Sequence, residues 1–247
     1  MNKNVIYTYL IGNYDNLVDP SIVTPGWDYI CFSDNKDLKS DIWKISPLPE
    51  HLKNIDDPKR VTSLLKIEYY KIIDSNYNIV ISMDASGEIK MDINSFLNNI
   101  NFNKEDMIVF NHPDRNCSYK EAEVIKQLNL DHHHVVDNQI NTYKKNKYPI
   151  SNGLWVGGII IRNNKSKKVK KACKIWSEEY RKGSRRDQLS FIYSFWKSNK
   201  LGNKIKIKTL DWGEYIIYFP PLHPIFFYYH KKGHDEIRFI NKKTNEN

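Results

Sequence analysis

Cysteine is scarce in this chain of 247 residues. Cys31, Cys117 and Cys173 are too few and too scattered for a disulfide framework or a zinc ribbon, so buried free thiols are expected. Long apolar runs are also missing. The segments "GGIII" and "YIIYFPPLHPIFFYY" are short or broken by proline and histidine, which excludes a membrane-spanning helix. At "MNKNVIYTYLIGNYD" no cationic segment leads into an apolar one, so no secretory leader is read there and a cytoplasmic protein is expected. Glycine and proline number ten each and nowhere gather with serine into a linker, and no internal repeat is visible. One domain is the default at this length.

Acids are the minority charge, 29 against 38 Lys and Arg, for a formal charge of +9. Such a balance suits phosphorylated small molecules, anionic lipid headgroups or nucleic acid. Much of the lysine lies in "RNNKSKKVKKACKIW" (162–176), whose predicted helix gathers Val169, Ala172, Cys173 and Trp176 on one apolar face. Its lysines read first as a solvated face and next as a membrane-surface patch. No aromatic-interleaved RNA motif, zinc-finger spacing or helix-turn-helix signature is present, so no nucleic-acid partner is expected.

What is present is an alternation of apolar runs and amphipathic stretches. "VIYTYLIG", "WDYICFS", "YNIVISMD", "EDMIVFNHP" and "GLWVGGIIIRN" read as strands. Helices are predicted between "NIDDP" and "IIDSN", over "SYKEAEVIKQLNL", in the lysine-rich stretch and over "RRDQLSFIYSFWKSN". Asp57 is a predicted N-cap, with Pro58 in the first turn. Late strands are expected at "KIKIKTL" and "EYIIYF". The alternation argues for an α/β fold with a mostly parallel central sheet covered by helices.

In such sheets ligands bind outside the carboxyl ends of the strands. Those ends bring Gly12, Tyr14 and Asp15, then Asp34, then Asp84 and Ser86, then His112 and Arg115 to one rim. A divalent ion bridging two phosphates needs hard oxygen ligands. Asp84 supplies one, or alternatively caps the turn before Gly87. Ser86, two positions on, binds a metal weakly or through water. In the tail, "YYHKKGH" offers His230 as a second ligand, and imidazole beside a carboxylate favours Mn²⁺ over Mg²⁺. In "GSRRDQLSF", two arginines keep Asp187 ionised as a base or as a stabiliser of a sugar cation, unless it serves only as an N-cap. Arg115 reads as a phosphate clamp or as an ion pair with Asp114 or Glu121. Arg60 and Lys66 read as phosphate contacts or as ordinary solvated charges of a helix. The adjacent histidines of "DHHH" (131–134) point in divergent directions and are not expected to hold a metal.

The ordered set "YTYLIGNYDNL", "GWDYICFSD", "WKI", an Arg and a Lys before the buried strand, "MDAS", "HPDRNCSYKEAE", "YPISNGL" and "RDQLSF" resembles a glycosyltransferase-like family first known as a domain of unknown function. The family includes plant mucilage-related hexosyltransferase-like proteins and bacterial relatives linked to surface polysaccharide. The resemblance spans about Tyr7 to Phe195. It implies a GT-A-type fold, with a nucleotide-binding half over about 1–110 and an acceptor-facing, catalytic half over about 111–247.

The resemblance also implies roles for residues. Thr8, Gly12, Tyr14, Asp15 and Asp34 would lie near the nucleotide, and Arg60 and Lys66 near the diphosphate. Asp84 and Ser86 would stand where metal-dependent relatives carry Asp-x-Asp. Asp187 and Gln188 would lie against the transferred sugar, and His112, Arg115, Tyr119, Glu121, Asn152 and Gly153 would contact donor or acceptor. "HKKG" resembles the start of a His-x-x-Gly metal motif, although the lysine, proline and tryptophan that usually follow are absent. The implied partners are a nucleotide-sugar donor, with UDP-sugar the default, and a glycan or lipid-linked acceptor; the lysine-rich helix adds the expectation of peripheral contact with the inner membrane face, where a lipid-linked acceptor would lie. Two alternatives remain at this stage, a nucleotide- or glycan-binding relative without activity and a metal-dependent hydrolase.

Overall fold

The computed structural model describes residues 3–211 and the backbone of 216–217 and 226–228. A seven-stranded sheet runs through the molecule in the order β3-β2-β1-β4-β7-β6-β8. Its strands are β1 (Asn4–Leu10), β2 (Trp27–Ser33), β3 (Lys44–Pro47), β4 (Ile79–Met83), β6 (Met107–Asn111), β7 (Trp155–Asn163) and β8 (Ile207–Leu210). A small second sheet joins β5 (Gly87–Ile89), β10 (Phe226–Tyr228) and β9 (Ile216–Ile217).

β7 runs antiparallel to both of its neighbours, while the other pairings in the large sheet are parallel. The predicted mostly parallel sheet is therefore found with one reversed strand, between β4 and β6. Periodicity could not reveal that reversal, because a strand buried on both faces reads the same in either direction. One consequence follows for the site. Asn163 at the end of β7 pairs with Ile79 at the start of β4, so the beginning of β7 lies at the carboxyl ends of its neighbours.

Both faces are filled. On one, Ile6, Leu10, Ile81, Met83, Phe110 and Ile161 pack on α3 (Ile93–Asn99) through Ile93, Phe96 and Leu97. On the other, Val5, Tyr7, Tyr9, Val80 and Ile160 meet α1 (Pro58–Ile67), α6 (Lys167–Lys182) and α7 (Asp187–Lys200). The apolar stripe read from sequence is the buried one, with Val169, Ala172, Cys173 and Trp176 fully enclosed and Trp176 stacked on Phe191 at 3.9 Å. A third cluster lies between α7, α4 (Ser118–Gln127) and α5 (His133–Lys145). The three cysteines are free and buried, as expected.

The helix predicted after Asp57 breaks at Glu68 into α1 and the short α2 (Tyr69–Ile72). Glu68 is wholly buried and bonded to Ser177, Arg181, Lys71 and His51. Burial works against its charge, but Ser177, Arg181 and Lys71 hold its carboxyl down to about 2. This knot ties α1 and α2 to α6. Arg162 of β7, also fully buried, donates to Ser82 Oγ at 2.9 Å and to the Lys66 carbonyl at 3.0 Å, and sits over the Tyr69 ring. It thereby fixes the backbone that carries Lys66.

Candidate functional site

At the carboxyl end of β1 the chain turns through Gly12, whose φ of +67° is open to glycine at little cost. The Gly12 N–H donates to both carboxylate oxygens of Asp34, at 3.1 and 3.0 Å, which draws the ends of β1 and β2 together. Tyr14 and Asp34 stand exposed on this rim, and Asp15 is half-buried. Pro58, at the start of α1, lies within 3.6 Å of where a Gly12 side chain would begin. Asp57 caps that helix, accepting from the Lys59 and Arg60 N–H groups, so its first turn, with Lys59 and Arg60, is delivered to the rim.

β4 ends at Met83, and Asp84 follows in a turn closed by the Gly87 N–H to the Asp84 carbonyl at 3.0 Å. The turn reading of Asp84 is thus realised by its backbone and leaves its side chain facing Tyr9, whose hydroxyl donates to Oδ1 at 3.1 Å. Burial and the Asp84 charge push the Tyr9 phenol well above its ordinary range, so it stays a donor. Ser86 is buried one step further on.

The centre of the site is an ion pair absent from any local motif. Lys66 Nζ lies 2.6 Å from Asp187 Oδ2, with both side chains almost fully enclosed. Burial alone would raise the Asp187 carboxyl; the charges of Lys66, Lys59 and Arg186 instead hold it well below the usual carboxylate range. Burial opposes the Lys66 charge, and Asp187 and Asp84 overcome it and raise the amine. Nearby, half-buried Lys59 is pushed down to about 8 by desolvation, with Asp187 opposing and Arg186 and Lys66 adding to the fall. Arg186 has a buried Nε with no hydrogen-bond partner among the described residues. Three cations and two carboxylates thus interact in one cluster.

Gly157 makes this approach possible. A Cβ there would stand 2.9 Å from Lys66 Nζ and 3.1 Å from Asp187 Oδ2. The pair therefore lies directly over β7, one residue before Gly158, whose carbonyl accepts the Asp84 N–H at 3.0 Å. Sequence reasoning passed over Lys59, Tyr9 and Gly157, and named Arg186 only as one of the two arginines that keep Asp187 ionised, which its charge does here. The "GG" inside "WVGGIII" was the available signal, since glycine inside a strand marks a close approach.

Other expected site residues are placed differently. Thr8 is fully buried inside the sheet, with its hydroxyl unpartnered among the described residues, so its side chain does not reach the rim. Arg60 bonds the Gly183 carbonyl at 3.1 Å and lies over the Tyr180 ring, holding α1 to the end of α6. Arg115 pairs with the buried Glu121 at 2.6 Å and lies 2.8 Å from the His112 ring, which realises the ion-pair reading. Burial first and Arg115 second push His112 down to about 4. Tyr119 donates to the Tyr148 carbonyl, Asn152 to the Tyr148 hydroxyl, and Gly153 sits at φ +88° against Ile192. These residues assemble the loop before β7 rather than joining the cation cluster. Gln188 follows Asp187 in α7 and is half-buried. His230 lies outside the described residues; β10 stops at Tyr228, which pairs with Gly87.

Among the described residues no group of three or more metal-ligating side chains converges. The rings of His132 and His134 stack at 5.7 Å, so these two side chains lie side by side rather than diverging as expected. Asp84 nevertheless offers a hard oxygen at the mouth, its Oδ2 taking no hydrogen bond from the described residues. A divalent ion that takes one or two carboxylates and completes its shell with substrate phosphates and water can be met by that donor.

The model of the TOD1/MUCI70, glycosyltransferase-like domain matches residues 5–213. Among solved structures, mouse xyloside xylosyltransferase 1 in its apo form aligns with a TM-score of 0.51 at 8% identity, covering 93% of this chain and 98% of that one. At that identity the likeness establishes the α/β, GT-A-like fold and no more. No curated protein matches the sequence.

Proposed function

The chain belongs to the TOD1/MUCI70 glycosyltransferase-like family, and from that premise we propose that it transfers a hexose from a nucleotide-sugar donor to a glycan or lipid-linked acceptor in surface polysaccharide synthesis. The observation that carries the donor site is the buried Lys66–Asp187 pair beside Asp84, with Lys59 and Arg186 around it. In this reading the donor diphosphate replaces water over the three cations. Lys59 and Arg186 are the groups with interactions to gain, since the Arg186 Nε is unpartnered and the Lys59 charge is penalised until an anion arrives.

In the transfer step the bond from the sugar's anomeric carbon to the diphosphate oxygen breaks and a bond from that carbon to the acceptor oxygen forms. Preorganised cations over the departing diphosphate stabilise the charge that develops there. Asp187 is enclosed and already paired with Lys66, so in this reading it acts as a fixed negative charge near the electron-poor sugar rather than as the base. The acceptor proton then passes to the departing phosphate oxygen, and the anomeric configuration is retained. Asp84, with His230 as a second ligand, would hold Mn²⁺, whose charge would further favour departure of the diphosphate.

The test is thermal stability with UDP, GDP, CDP, CMP and dTDP, with and without Mn²⁺, on the native protein and on Asp84→Ala and Lys66→Met. A ligand that binds only the folded state raises the melting point. A nucleotide-selective rise, lost in Lys66→Met, is expected, and UDP is the first donor series to assay. No rise with any nucleotide would overturn the donor reading. NMR of the product's anomeric proton then decides retention.

A further inference from the structure

We infer that the end of the molecule opposite the donor site is a docking surface for an anionic lipid bilayer. Two segments build it. One is the first half of α6, where Lys167, Lys168 and Lys171 are exposed and Lys170 is half-buried. The other is the loop after α7, with Lys200, Leu201 and Lys204 exposed. Asn203 is buried between them and donates through Nδ2 to the Lys168 carbonyl at 2.9 Å and to Ser198 Oγ at 2.7 Å. The loop is therefore fixed against the start of α6.

The charges on this surface are uncompensated. None of Lys167, Lys168, Lys170, Lys171, Lys200 and Lys204 has a carboxylate partner among the described residues, whereas Lys197, one turn back in α7, pairs with Glu179. The first turn of α6 holds no acid, so its lysines crowd the end of the helix where positive charge is least welcome. Such an arrangement costs fold stability and makes sense where an anion supplies the missing charge. Leu201, 60% exposed amid these cations, decides the class of partner. An apolar side chain ringed by lysines suits a bilayer interface, where it enters the acyl boundary while the ammonium groups stay among headgroups. A phosphate backbone would leave it in water.

Because β7 is antiparallel, α6 starts at the amino ends of the parallel strands and finishes beside Arg60 at the donor rim. The bilayer-facing end and the site are thus separated by about 24 Å, the length of a helix of 16 residues. Under the donor-site reading above, a lipid-linked acceptor would have to present its growing end through intervening sugars. The docking surface itself does not rest on that reading.

The test is co-sedimentation of the full chain with vesicles of phosphatidylcholine alone and of phosphatidylcholine mixed with phosphatidylglycerol, at low and high salt. It is run on the native protein, on the charge-reversed triple variant Lys167→Glu, Lys168→Glu, Lys171→Glu, and on Leu201→Ser. Binding to the mixed vesicles only, weakened by salt and reduced about tenfold or more in the triple variant, is expected, with a smaller loss in Leu201→Ser. Acids at the start of a helix favour it, so the triple variant keeps or gains melting temperature and lost binding cannot be ascribed to misfolding. Equal binding to both vesicle types, no binding, or full binding by the triple variant would overturn the inference. So would stronger capture by duplex DNA, through the same lysines and indifferent to Leu201→Ser.

Discussion

Lys66 and Asp187 stand 121 positions apart in the chain and 2.6 Å apart in the fold. Their contact joins the last turn of α1 to the first residue of α7 across a glycine of β7. Removing one member leaves the other charged and buried, so Lys66→Met and Asp187→Asn should each cost roughly 3 kcal/mol in urea unfolding. The double variant Lys66→Met, Asp187→Leu should recover much of that loss while remaining unable to bind nucleotide. Recovery of binding along with stability would show that the pair serves the fold alone.

The same pair sets a pH profile for stability. The Asp187 carboxyl is depressed in the fold, so its contribution is present above its unfolded value of about 3.9 and is lost as pH falls through the lower folded value. Lys66 is raised, so its contribution is full below about 10.4 and is lost as pH rises through the higher folded value. Between these limits the pair should add no slope. A pH series of urea midpoints on the native and double-variant proteins should therefore run parallel from about pH 5 to 7, below the range in which Lys59 titrates.

Lys59 titrates between the limits of that pair, at about 8 in the unliganded fold. An anion bound beside it prefers the charged amine, so binding takes up a proton wherever Lys59 is neutral. Affinity for UDP should fall about tenfold between pH 7 and pH 9, and the fall should flatten in Lys59→Met. Calorimetry in two buffers of different ionisation enthalpy would count the proton. A pH-independent affinity would place the diphosphate away from Lys59.

Much of the frame was legible because each element announces itself locally. Asp57 and Pro58 open α1 where expected, the apolar run before Asp84 is β4, and the stripe of α6 is the buried one. The reversal of β7 and the break at Glu68 were not legible. The first depends on which neighbours a strand pairs with, and the second on Ser177 and Arg181, more than a hundred positions away. The site divided in the same way. Asp84 was named from a strand end, Asp187 from a helix start and Lys66 as a helix cation, but their partnership needed the fold. Lys59 was eclipsed by Arg60 beside it, and helix geometry turned Arg60 toward Gly183 instead.

Gly157 offers a test of crowding without touching a charge. An alanine methyl would meet Lys66 Nζ at 2.9 Å, closer than a Cβ comes to its neighbours, and Asp187 Oδ2 at a tight 3.1 Å. Neither atom can retreat without lengthening the ion pair. Gly157→Ala should cost about 1–3 kcal/mol and weaken UDP binding more than it lowers the melting point. Gly202→Ala, where nothing lies within 4 Å but φ is +79°, gives for comparison the cost of backbone strain alone, away from the site.

Arg115 was read from sequence as a clamp or an ion pair, and the fold engages it on two sides, by Glu121 at 2.6 Å and the His112 ring at 2.8 Å. Its charge is one reason His112 titrates near 4, the larger reason being burial. Arg115→Ala removes the cation and opens the ring to water, so both causes weaken and the His112 value should climb toward the ordinary 6.5 or so. The sign for stability follows. With a depressed folded value, the unfolded chain binds the proton first, so the native protein loses stability as pH falls from about 6.5 toward 4. In Arg115→Ala that loss should shrink, while the separation of the now unpaired, buried Glu121 from its cation lowers stability near neutral pH. NMR titration of the His112 ring measures the first effect and urea midpoints at pH 7 the second. If the ring value stays near 4, burial alone sets it, and Arg115 is then confined to holding Glu121 and the start of α4.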